Sequence, residues 1–204
     1  RGSVPVVVGG SGLYVSAVLD DLRFPGTDPE VRSALEDDLA LLGPEAMHAR
    51  LAEVDPVAAE AILASNGRRI VRALEVIAMT GGPFIARLPT PVAVYPALRI
   101  GLRIPREVLD ARIAERVDGM WQSGFVDEVR RLAEAGLAQT PTASKALGYQ
   151  QVLSFLAGEI TEDDARQLTI DATRRFARRQ QRWFRRDGRI SWIDYDDGAA
   201  VEGV

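Results

Sequence analysis

The stretch Val4-Pro5-Val6-Val7-Val8-Gly9-Gly10-Ser11-Gly12-Leu13-Tyr14 joins an apolar run to a glycine loop and then to a helical pattern that continues to about Leu22. Four valines in five residues predict a short buried strand over 4–8, and the glycines a tight loop opening a helix. Strand, glycine loop and helix in that order belong to an α/β core. Backbone amides at such a helix start can hold an anion, and a turn where chain passes closely over chain needs the same glycines. Gly9, Gly10 and Gly12 do not form a Walker phosphate loop, because the one lysine of the chain, Lys145, has no glycine before it.

Working outward, the texture from Thr27 onward is helical alone. Thr27-Asp28-Pro29-Glu30 combines capping-box spacing with proline at a first helical position, and Gly43 closes that helix. Three more helices are predicted over 44–54, over 56–64 behind an Asp55 cap, and over 68–79 before Gly81-Gly82-Pro83. The expected organisation is therefore a helical lobe, residues 27–96, inserted into an α/β core made of residues 1–26 and 97–204. Core character resumes with a strand over 97–104 (ALRIGLRI) and a helix from Pro105 to about Gln122, which carries Arg112 and Arg116 at i, i+4. Helices are predicted over 125–135 and 142–157. Gly148 in the middle of the second costs about 1 kcal/mol against alanine, which marks a close approach of backbone or ligand. Thr161 caps a long helix to about Arg186, and 190–195 (ISWIDY) reads as a last strand.

Charge is distributed unevenly along this frame. Residues 174–186, RRFARRQQRWFRR, hold seven arginines and no acid, although the chain carries a net charge of -4. On a helix, Arg174, Arg178, Arg182 and Arg185 form one stripe, with Phe176 and Trp183 on another side. Like charges stacked at i, i+4 cost a few tenths of a kcal/mol per pair, so either an anionic partner or acids elsewhere in the fold must compensate. Arginine favours the first, because its planar fork binds phosphate bidentately and stacks on bases. Arg68, Arg69 and Arg72 crowd a predicted helix start, where the dipole prefers acids; a bound anion or a salt bridge to Glu75 would each account for them.

The bulk numbers set limits. The 204 residues are 47% apolar, enough for a real core. There is no cysteine, which excludes disulfides and thiolate metal sites and suits a reducing cytoplasm. The single histidine, His48, lies in a helical pattern and reads as an ordinary helix residue. No apolar run approaches a membrane span, so a protein free of the membrane is expected. The chain begins Arg1-Gly2-Ser3 without an initiator methionine, as a fragment does, or a chain with a short cloned leader.

Six segments, in order and across nearly the whole chain, resemble the tRNA dimethylallyltransferases: Gly9-Gly10-Ser11-Gly12-Leu13-Tyr14; Asp28-Pro29-Glu30-Val31-Arg32; Val54-Asp55-Pro56; residues 68–76 (RRIVRALEV); Ala146-Leu147-Gly148-Tyr149; and Arg178-Arg179-Gln180 with Trp183-Phe184-Arg185. The resemblance implies a P-loop-kinase-like three-layer core with a helical insertion lobe that grips a tRNA anticodon stem-loop. It implies transfer of a dimethylallyl group from dimethylallyl diphosphate to N6 of the adenosine 3′ of the anticodon, by a monomer using Mg²⁺. Arg116 matches an arginine expected to neutralise the departing diphosphate. Ser11, in the place of a usual threonine, Arg32, Arg68, Arg69, Arg72, Lys145, Gly148, Tyr149, Gln150, Arg178, Arg179, Gln180, Trp183 and Arg185 match tRNA contacts, although Gln150 stands where a cation is common. The family's phosphate loop, the main Mg²⁺ holder and the aspartate that orients the N6 proton are expected before residue 1, about a hundred residues in all. The stretch alone is then expected to be inactive or nearly so. Two other readings share the arginine stripe: a non-catalytic RNA-binding helical module, and a piece of another P-loop-kinase-like enzyme.

Overall fold

A computed structural model describes residues 3–22, 24–85, 92–140 and 142–195. The chain is α/β and mostly helical, and it divides into two units: residues 1–15 with 97–204, and residues 16–96. The division falls inside α1 (Gly12–Leu19).

In the unit of residues 16–96, local chemistry sets each helix boundary. Helix α2 (Pro29–Leu42) starts on Asp28, whose carboxylate accepts from the amides of Glu30 and Val31; Asp28, not Thr27, is the cap, because it stands directly before Pro29 at the first helical position. Gly43, at φ 82°, turns the chain into α3 (Pro44–Val54). Asp55 caps α4 (Pro56–Ala61) through Ala58 N, and Asn66 caps α5 (Gly67–Thr80) through Arg69 N, with Gly81 closing it in the left-handed region. Their apolar faces bury Leu35, Met47, Leu51, Ile62, Ile70, Val71 and Leu74 in one core. His48 does more than fill a helix position. Its Nε2 lies 3.0 Å and 2.9 Å from the carbonyls of Ala59 and Ile62, so that nitrogen carries the hydrogen and fastens α3 to the end of α4. The two connectors of this unit meet in an antiparallel bridge, Asp20 opposite Ala93, which no local pattern announces.

In the other unit, β1 (Ile100–Arg103) pairs in parallel with β2 (Ser191–Asp194), Ile100 opposite Ser191 and Arg103 opposite Asp194. Between them come α6 (Arg106–Gln122), α7 (Phe125–Glu134), two 3₁₀ turns (Leu137–Gln139 and Ala143–Lys145), α8 (Tyr149–Leu156) and α9 (Glu162–Phe184). Arg166 meets Asp118 at 2.9 Å and Arg174 meets the Asp110 carbonyl at 3.2 Å, so α6 and α9 run antiparallel. Ile113, Val117 and Ile170 seal that contact; Phe125, Val126, Val129, Leu137 and Val152 form a second cluster under α7 and α8.

Two sequence expectations are corrected. Residues 4–8 form no strand, and Val4, Val6 and Val8 are 86%, 82% and 91% exposed. A strand exists only within a ladder, and the described residues offer this apolar run no partner. The helix expected over 142–157 is broken: a 3₁₀ turn ends at Lys145, and α8 begins only after Gly148. Gly148 has φ +89°, and a Cβ there would stand 2.8 Å from the Phe125 ring, so it is a helix start under an aromatic side chain, not a mid-helix glycine.

Candidate nucleic-acid interface

Helix α9 carries the arginine run, and its neighbours decide which arginines are available. Arg174, at the inner end, is held by acids: its Nη1 lies 3.5 Å from Asp171 and its Nε 4.0 Å from Asp110. Beyond it, Arg178, Arg182, Arg185 and Arg186 form no ion pair among the described residues, and they line one groove with Arg106, Leu109, Asp110, Ala177 and Gln181. The groove has a volume of about 440 Å³. Asp110, 3.7 Å from Arg106, is its one acid among the described residues. Four uncompensated guanidinium groups on one wall raise the local potential and concentrate anions there. Arg179 lies on another side, over the Phe176 ring.

The glycine loop meets the same helix. A Cβ built on Gly12 would overlap the Trp183 indole, and one on Gly10 would overlap the Gln180 side chain. Those two glycines are therefore required by close packing of the loop on α9; a Cβ on Gly9 would meet nothing within 4 Å. Ser11 is exposed, with its carbonyl accepting from Val15 N at the start of α1. The structure thus brings Gly10, Gly12, Gln180 and Trp183 together, on the helix that also carries the groove arginines.

Other candidates stand apart from the groove. Arg116 is exposed on α6, ten residues or about 15 Å of helix rise beyond Arg106, with no ion pair among the described residues. Lys145 and Gln150 are exposed beside Gly148. Tyr149 is half-buried, its hydroxyl donating to Glu128 at 2.5 Å, which raises its pKa; its ring lies 5.6 Å from that of Phe125.

In the unit of residues 16–96, Arg32 and Arg72 converge on Glu75, whose side chain is fully buried. Arg32 donates through Nε at 3.3 Å and Nη2 at 2.6 Å, Arg72 through Nη1 at 2.7 Å, and the Asp28 amide at 3.2 Å. Burial alone would raise the Glu75 carboxyl, but these donors pull it down to about 2 and raise Arg32 in turn. Arg72 also donates to the carbonyls of Pro25 and Gly26. The segments Asp28–Arg32 and Arg72–Glu75, forty residues apart in sequence, are thus one object. Of the two accounts the sequence allowed for the α5 cations, the salt bridge holds for Arg72; Arg68 and Arg69 lie exposed at the helix start.

Residues missed by sequence reasoning are Arg106, Asp110 and Arg186; only the α6–α9 contact brings the first two to the groove. Arg186 stands twelve residues from Arg174 and extends its i+4 ladder, a signal within the sequence; Arg106 offers none. No group of three or more His, Asp or Glu able to hold a metal ion occurs among the described residues. None of the described helices is long and apolar enough to cross a membrane.

A family model described as IPP transferase matches residues 1–187. A tRNA dimethylallyltransferase of Thermobifida fusca is 65% identical over 195 residues, which are 96% of this chain and 61% of that protein. The chain thus spans less than two thirds of that relative's length. Among solved structures, the tRNA isopentenylpyrophosphate transferase of Bacillus halodurans is 36% identical with a TM-score of 0.55, covering 90% of this chain and 57% of that one. A eukaryotic dimethylallyltransferase acting on tRNA is 23% identical, a likeness of fold alone, with a TM-score of 0.73 over 97% of this chain and 52% of that one.

Proposed function

We propose, from the premise that this chain belongs to the IPP transferase family, that it serves in the transfer of a dimethylallyl group from dimethylallyl diphosphate to N6 of the adenosine 3′ of a tRNA anticodon. The observation that carries the reading is the groove at the end of α9, lined by arginines without an ion pair among the described residues. Phosphates of an anticodon stem-loop fit it chemically, because guanidinium forks bind phosphate oxygens in charge-assisted pairs and release counterions on doing so. Backbone contacts of this kind set register, and identity is read from the base itself, taken out of the stack before its edge can react.

In the reaction the N6 amine attacks the allylic carbon. A C–N bond forms, the C–O bond to the diphosphate breaks, and the amine loses a proton. Negative charge grows on the leaving oxygens, and a cation placed to meet it lowers the barrier. Arg116, exposed and without an ion pair among the described residues, takes that role in this reading. Arg116→Ala is expected to lower kcat more than RNA affinity, checked by single-turnover kinetics beside RNA titration; equal losses would assign Arg116 to RNA binding.

The test of the whole reading is fluorescence anisotropy of the full gene product with a labelled anticodon stem-loop. Salt is varied, and the adenosine 3′ of the anticodon is either kept or replaced by a pyrimidine. Affinity that falls steeply with salt and also on base replacement supports the reading. Salt-sensitive binding indifferent to the base would favour a non-catalytic RNA-binding module, and no binding would overturn the reading.

A further inference from the structure

We infer that Asp187 is the positioning residue of the arginine groove, fixing the last turn of α9 and with it Arg182, Arg185 and Arg186; the inference rests on the RNA reading of that groove. Asp187 sits three residues beyond the end of α9, where the negative end of the helix dipole disfavours a carboxylate. The structure compensates it with a built set of donors. Arg189 gives its backbone amide at 3.0 Å, Nε at 2.7 Å and Nη2 at 2.7 Å, and Arg99 gives Nη1 at 3.0 Å. The Arg99 side chain is only 9% exposed. Hydrogen bonds from Arg189, reinforced by the Arg99 charge, hold the Asp187 carboxyl down at about 2, so it is ionised at neutral pH.

The place of this carboxylate in the chain gives it its consequence. Asp187 N bonds the Phe184 carbonyl and Arg186 N that of Trp183, which ties the residue to the final turn of α9. The Asp187 carbonyl accepts from Ile190 N, immediately before β2, and the Arg99 carbonyl accepts from Ser191 N. One residue therefore joins the end of α9 and the approach to β2 through its backbone, and its carboxylate ties both to Arg99, the residue before β1. The antiparallel partner α6 begins at Arg106, opposite the region of Arg178, so it does not reach far enough to hold the turns that carry Arg182, Arg185 and Arg186. The Asp187 anchor and the packing of Gly10 and Gly12 hold them instead. Without the anchor, these arginines remain in the chain but no longer share one wall.

The experiment is the salt dependence of binding of a labelled anticodon stem-loop by the full gene product, with wild type, Asp187→Ala, Asp187→Asn and Arg182→Ala compared at a temperature where far-UV circular dichroism shows intact helix. Arg182→Ala is expected to shallow the slope of log K against log salt by about one unit, which shows that the assay reads the groove. Asp187→Ala, which removes no cation, is expected to shallow it by about two. Asp187→Asn keeps an acceptor at nearly the same volume and is expected to fall between. If the alanine variant fails to fold, the asparagine variant carries the same measurement. A slope unchanged in the asparagine variant, or affinity lost with the slope intact, overturns the positioning role and leaves Asp187 a purely structural residue. If wild type binds without salt dependence, the RNA reading of the groove falls, and this inference falls with it.

Discussion

Replacing Arg178, Arg182 and Arg185 together by alanine is expected to weaken stem-loop binding on the order of 10²- to 10³-fold near 0.1 M salt, at roughly 1.5 kcal/mol or somewhat less per lost charge-assisted contact. The slope of log K against log salt should shallow by two to three units, because each neutralised phosphate releases somewhat less than one counterion. The same substitutions should leave the melting temperature unchanged or slightly raised. None of the three makes an ion pair among the described residues, and Arg178 and Arg182 repel each other at i, i+4. Loss of RNA affinity without loss of stability is the result expected of a surface built for a partner. Anisotropy titrations at several salt concentrations, with a thermal melt beside them, give both readings; a fall in melting temperature matching the affinity loss would contradict this assignment.

Glu75→Gln is expected to cost about 3 kcal/mol of stability, the low end for breaking a buried charge network, and so to lower the melting temperature by roughly 6–12 °C. The glutamine presents an NH₂ where arginine donors converge, so two donors face each other around a buried side chain. The sign of the pH dependence follows from the depressed carboxyl at about 2. Above the ordinary glutamate range the group is ionised in both folded and unfolded chains, and its full contribution is present. As pH falls from about 4.5 toward 2, the unfolded chain takes up the proton first and that contribution is lost. Wild-type melting temperature should therefore be nearly flat from neutrality to about pH 5 and fall steeply below. Asp187, also at about 2, adds to the same fall, so Glu75→Gln should flatten the profile only in part. Differential scanning calorimetry across pH 2–7 measures this; identical profiles for variant and wild type would show that the carboxylate is not held by its arginines.

Local chemistry was legible where one residue decides the outcome. Proline after an acid or glycine set the starts of α2, α3 and α4, and Thr161 set that of α9, because capping and a fixed φ act within four residues. The valines of residues 4–8 misled because strand propensity states a preference for a ladder and says nothing of whether one is present. Gly148 misled because a glycine inside a helical pattern and a glycine at a helix start look alike until Phe125 is seen to fill the space. The arginine stripe was visible as a periodicity, but its sorting into Arg174, held by Asp110 and Asp171, and the groove arginines without an ion pair among the described residues depends on where α6 begins. Arg106 and Asp187 carried no signal at all, since each works through a residue distant in sequence.

The parallel pairing of Ile100 with Ser191 has a consequence for how the molecule assembles. Ninety-one residues must be closed into a loop before the first hydrogen bond between β1 and β2 can form, whereas α2 to α5 pack through neighbours much closer in sequence. Loop-closure entropy delays the distant pairing. The groove wall that depends on this strand pair is therefore completed near the end of folding. The packing of α2 to α5 does not wait for that wall.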